Sequence, residues 1–247
     1  MLGKLDTHRL EERVLYVYTP PSYEKSPEAT YPLMIVQDGQ YLFMDSMVEL
    51  EADFVSGVTQ EIIFVGIEPN GRDQEYTPWP APPLRAGESF GGQGDQYLQL
   101  VTETVLPFVK EQYRVVDDSE QTGITGGSLG ALISLYAAFQ KPNDFGRFAL
   151  MSASLWYEKF LDFIQDHSFA QSSLRLYMYV GEQEGVGRET LQRFMVPNTK
   201  KTYELLKDKV PGGIENIRFE TDPDGVHDHS YFNRYFPNAL RFLYPGS

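Results

Sequence analysis

The sequence predicts an α/β fold: a mainly parallel central sheet with helices on both faces, with residues 1–247 read as a single domain. Three observations predict it. Short apolar runs alternate with helix-period stretches along most of the 247 residues. Between one run and one such stretch lies Gly126-Gly127-Ser128-Leu129-Gly130, a G-x-S-x-G pattern. Ser128, an acidic loop and a histidine loop each follow a strand-like run, in that order, and open parallel sheets gather active sites at those strand ends.

Residues 14–19 alternate like a half-buried strand and stop at Pro20-Pro21. Residues 33–36 form a continuous apolar run, as in a buried central strand. Residues 43–54 read as helix, and 62–67 as a second apolar strand ended by Pro69-Asn70-Gly71. Residues 70–95 are rich in Pro and Gly and read as a long irregular excursion near the active site. Tyr76, Trp79 and Phe90 are its candidates for roofing an acyl or aryl pocket. Arg72 and Arg85 are its candidates for meeting an anionic substrate or offsetting local acids. Residues 97–113 carry Leu98, Val101, Val105 and Val109 on one helical face, with Pro107 against the pattern. A short strand at 121–125 leads through the glycines into a helix with Leu129, Leu132, Ile133, Leu135, Tyr136 and Phe139 at three- and four-residue spacing. Then follow strand 148–151, helix 156–164, strand 174–180, helix 189–207, strand 217–220 and helix 231–243. No repeat, low-complexity tail or linker divides the chain.

The sequence has no cysteine, which excludes disulfides, thiolate metal sites and a cysteine nucleophile. Its formal charge of −14 argues against nucleic acid or an anionic membrane surface as a partner. No apolar run approaches the roughly 18–20 residues of a membrane span. The first residues lack the apolar core of a secretory signal, so a cytoplasmic location is expected. Neither G-x-G-x-x-G after a strand nor G-x-x-x-x-G-K-[ST] occurs, so no nucleotide cofactor is expected.

A serine hydroxyl is a weak nucleophile. It needs a base, the base needs an orienting acid, and the attacked carbonyl needs an oxyanion hole. There are four histidines. His227 and His229 lie between the last strand and the last helix, and one of them is the expected base. The acid is expected between serine and histidine, in Gly181-Glu182-Gln183-Glu184-Gly185, as Glu184 or Glu182. The expected oxyanion donors are the N–H groups of Leu129 and of Gln40, in Gln37-Asp38-Gly39-Gln40 just past the 33–36 strand. A metal-dependent hydrolase using His227, Asp228 and His229 is a competing reading, but a third metal ligand is not evident. A non-catalytic binding protein on the same fold is another.

Four segments carry a resemblance: 31–43 (YPLMIVQDGQYLF), 65–78 (VGIEPNGRDQEYTP), 122–136 (TGITGGSLGALISLY) and 152–156 (SASLW). Together they resemble the esterase-D-like esterase family of α/β hydrolases, with its siderophore esterases, feruloyl esterases, mycolyltransferases and S-formylglutathione hydrolase relatives. The resemblance implies the α/β-hydrolase fold and a serine carboxylesterase working through an acyl-enzyme on a small-molecule ester, or an acyltransferase using the same triad, with no cofactor. It aligns Ser128 with the nucleophile, Glu184 with the acid, His227 with the base and Gln40 with the oxyanion donor after Asp-Gly. The alignment of His227 runs through Pro237-Asn-Ala-Leu-Arg-Phe-Leu243. Two departures stand out: Leu129 and Ala131 replace the frequent Met and second Gly. The Asp228-His229-Ser230-Tyr231 segment is similar to the histidine motif of the S-formylglutathione hydrolases.

Overall fold

The apolar runs become the middle of one sheet because continuous runs of this kind can be buried on both faces. The computed structural model describes residues 1–87 and 89–246. An antiparallel hairpin of β1 (Lys4–Leu10) and β2 (Arg13–Thr19) opens the chain. Then come β3 (Leu33–Gln37), α1 (Tyr41–Met44), α2 (Met47–Ser56) and β4 (Ile63–Ile67). The 70–95 stretch carries α3 (Arg72–Glu75) and a small ribbon of β5 (Pro80–Ala81) with β6 (Phe90–Gly91). Next are α4 (Gly94–Leu100), α5 (Leu106–Gln112), β7 (Thr122–Gly127) and α6 (Leu129–Gln140). The remainder is β8 (Arg147–Met151), α7 (Phe160–Asp166), β9 (Arg175–Gly181), α8 (Met195–Leu206), β10 (Ile217–Asp222) and α9 (His229–Leu243).

Among the described residues the main sheet has eight strands in the order β1-β2-β4-β3-β7-β8-β9-β10. The six from β4 to β10 run parallel, and the first hairpin joins β4 antiparallel. Alternation along β3 shows how both faces are covered. Leu33 and Ile35 face a core shared with α4, α5, α6 and α7, whereas Met34 and Val36 face one shared with α1, α2 and α9. In α6 every residue from Leu129 to Ala138 is buried, so the helix is apolar all round rather than striped.

Several boundaries differ from the sequence reading. Strand β1 escaped it: KLDTHRL is half exposed at the sheet edge and carries charge on the open side. The 43–54 helix is two helices. Ser46 between them donates to Leu42 O and to Asn233 O, which turns the chain toward α9. Pro107 is accommodated because Val101–Val105 form a π-helical turn. There Leu106 N–H reaches back to Val101 O, and the widened turn relieves the carbonyl that the proline ring would strike. The 156–164 helix starts late, at Phe160, because residues 152–159 form a turn at the end of β8. Among the described residues no helix is long and apolar enough to cross a membrane.

Candidate active site

Ser128 sits between β7 and α6 with φ 58° and ψ −118°, a conformation that costs a non-glycine residue strain. The surroundings hold it there. Its N–H donates to Met151 O at 3.0 Å, and its carbonyl accepts from Leu132 N at 3.0 Å and Ser154 N at 3.1 Å. The flanking glycines are required by contact. A Cβ on Gly126 would lie 2.7 Å from the Gly130 carbonyl carbon, and one on Gly130 would lie 2.9 Å from Gln37 Cβ. The G-x-S-x-G pattern is therefore a strand-to-helix turn pressed against the end of β3.

Ser128, His227 and Glu184 come together. His227 Nε2 is 3.0 Å from Ser128 Oγ, and His227 Nδ1 is 2.6 Å from Glu184 Oε2. An ionised carboxylate only accepts, so the proton lies on Nδ1 and the Nε2 lone pair faces the serine. Glu184 is 3% exposed. Its other oxygen accepts from Ser152 Oγ at 2.5 Å and from Gly181 N–H at 2.8 Å. Three donors thus compensate a buried anion that would otherwise be costly. Glu182 turns elsewhere: it accepts from Thr221 Oγ1 and faces Lys200. His229 begins α9 and stacks on Tyr41, with ring centroids 4.3 Å apart. Asp228 caps α9 by accepting from Ser230 N–H and Oγ. These bonds hold its carboxyl below the usual range. His8 pairs with Tyr113, and His167 with Phe163 O.

Two residues of this set carried no role in the sequence reading. Ser152, at φ 50°, donates to Glu184, and Ser154 Oγ lies 3.1 Å from Ser128 Oγ. The signal available was positional: both follow β8, the strand beside β7.

The N–H groups of Gln40 and Leu129 meet no protein acceptor among the described residues. The loop bearing Gln40 is bent through Asp38 (φ 61°) and Gly39 (φ 74°). Asp38 receives Arg72 Nε at 2.7 Å and Nη2 at 2.9 Å, and the same Nη2 donates to Gly127 O at 3.2 Å. Burial works against the Arg72 cation, but the bonds and charge of Asp38 outweigh it and its pKa rises. Arg72 therefore offsets a local acid. A cavity of about 600 Å³ over Ser128 is lined by Asp38, Tyr41, Arg72, His227, His229 and Phe232 among others. The expected aromatic roof is elsewhere. Tyr76 is fully buried, Trp79 packs among Tyr136, Tyr157, Phe160 and Phe163, and Phe90 lines a separate cavity with Trp156 and Leu191. Arg85 lines a third cavity, with Arg188.

A family described as "Putative esterase" matches residues 9–243. The chain is 36% identical over 246 residues to the uncharacterized protein YbbA of Bacillus subtilis (strain 168), covering 99% of this chain and 97% of YbbA. An IroE-like serine hydrolase from Shewanella oneidensis superposes with a TM-score of 0.83 at 18% identity, over 98% of this chain and 80% of that one. The siderophore hydrolase EstB from Aspergillus nidulans superposes with a TM-score of 0.74 at 19% identity, over 97% and 94%. At these identities the structural likeness is one of fold.

Proposed function

Because this chain belongs to the Putative esterase family, and is thereby an ester-cleaving enzyme, we propose that it hydrolyses carboxylic esters through an acyl-enzyme on Ser128. The unbroken chain Glu184–His227–Ser128 is the observation that carries this reading. Ser128 Oγ attacks the ester carbonyl carbon while its proton passes to His227 Nε2. The imidazolium that forms is stabilised by Glu184, which keeps its own charge. The carbonyl oxygen becomes an oxyanion held by the N–H groups of Gln40 and Leu129. As the tetrahedral adduct collapses, the C–O bond to the alcohol breaks and His227 returns the proton to the leaving oxygen. Water, deprotonated by His227, then attacks the acyl-enzyme and releases the acid and Ser128.

A single domain suffices for this, since every participating loop leaves the same edge of one sheet. The open cavity over Ser128 fits a small-molecule ester. The structural neighbours include a siderophore hydrolase and a ferulic acid esterase, so siderophore lactones and feruloyl esters join p-nitrophenyl esters in the first substrate panel. Ser128→Ala should abolish detectable turnover with the fold retained, since triad loss leaves only about 10³–10⁴-fold catalysis over water. A fluorophosphonate should add mass at Ser128. Labelling elsewhere, or an active alanine variant, would overturn the assignment.

A further inference from the structure

We propose that Arg72 is a positioning residue that holds the two halves of the oxyanion hole in register. The inference rests on the serine-esterase reading above. The two donors come from different segments, the loop after β3 and the turn after β7. The ladder between these strands ends at Val36 and Thr125. Gln40 and Leu129 each lie four residues beyond their end of it, where no backbone pairing fixes one against the other.

Arg72 spans that gap. Its guanidinium forks onto both oxygens of Asp38, two residues before Gln40, and also binds the carbonyl of Gly127, two residues before Leu129. A planar fork fixes direction as well as distance, which a point charge does not. The arginine is itself anchored. Glu75, on the same helical turn, is buried and receives a fork from Arg13 and the N–H of Asn70 at 3.0 Å. The next residue, Tyr76, meets the Asp38 N–H through its hydroxyl at 3.0 Å. The α3 segment therefore grips the β3 loop by backbone and by side chain, and the elbow by its carbonyl.

A device of this kind acts on the transition state and the tetrahedral adduct, because the bound ester itself carries no oxyanion. Arg72→Gln should lower kcat on p-nitrophenyl butyrate by about 30–100-fold, with KM changed by less than about threefold. Affinity for an alkyl trifluoromethyl ketone, bound as a tetrahedral oxyanion, should fall by a similar factor. Arg72→Lys should recover little, since an ammonium cannot fork. Adding Asp38→Asn to Arg72→Gln should cost little more, because both act through one link. Circular dichroism melts check folding, and Arg72→Lys decides if the glutamine variant does not fold. The inference is wrong if a folded Arg72 variant keeps kcat and ketone affinity near wild type. It is also wrong if KM rises alone or the loss is confined to anionic esters, because Arg72 would then read the substrate. Fluorophosphonate labelling of the wild type separates the two proposals: no adduct at Ser128 removes the serine reading itself, whereas an adduct with indifferent Arg72 variants removes this inference alone.

Discussion

In the proposed triad Glu184 acts as an anion with three donors around it, and its replacement should be felt at His227 rather than in the fold. In Glu184→Gln the amide can no longer fix the proton on Nδ1, and the imidazole is free to take the other tautomer. A loss of about 10³–10⁴ in kcat is expected, by analogy with the corresponding change in other triads, and steady-state kinetics would read it. The two neighbouring histidines should separate cleanly. His227→Ala should be inactive, while His229→Ala, losing a stacking contact on Tyr41, should keep most of its kcat; the reverse result would move the base two residues along. Much of the site's geometry is legible in the sequence. Ser128 was marked by its glycines, which are contact requirements and so appear as sequence. Choosing between Glu182 and Glu184 from local chemistry was impossible, because both are acids in one loop and only the fold decides which faces inward. Ser152 and Ser154 lie in the resemblant 152–156 segment, but their roles left no mark: a serine reads the same whether it holds a buried carboxylate or faces water.

At the scale of elements, Gly66 on β4 is the position where strand and site touch. A Cβ there would lie 2.3 Å from Gly39 O and 3.1 Å from Gln40 N. Gly66→Ala must therefore displace the donor loop. It should destabilise by about 1–3 kcal/mol, as overpacking does. It should also lower kcat more than a matched alanine at an exposed loop glycine such as Gly87. Thermal melts and kinetics on the pair provide the check. Strands were the easiest elements to read, since β3, β4, β8 and β9 are continuous apolar runs buried on both faces. Helix ends were harder. The start of α7 depends on a turn whose serines bond to the loops after β7 and β9, and the passage of a helix through Pro107 depends on a π turn with no sequence mark of its own.

For the molecule as a whole, the alternation of elements announced a parallel sheet, but not the order of its strands. That β4 lies between β2 and β3 is set by how the faces pack, which no local window contains. The same topology bears on the metal reading. It directs His227 toward Glu184 and Ser128 and His229 toward Tyr41, and among the described residues no group of three or more His, Asp or Glu is placed to hold a metal ion. Activity should survive prolonged dialysis against EDTA; a loss that zinc restores would favour the metal reading instead. The helix that follows the base is fastened far from the site: α9 crosses one face of the sheet, and the hydroxyl of Tyr244, just past its end, donates to Leu33 O at the start of β3. Serine and base are 99 residues apart in the chain, and the base comes second. On the ribosome the hydroxyl is therefore made long before its proton acceptor, and the acceptor can be seated only after its helix has been translated and docked. On the proposed triad, a chain abandoned before α9 carries Ser128 without its proton acceptor, so premature termination is expected to yield an inert fragment and not an unregulated hydrolase.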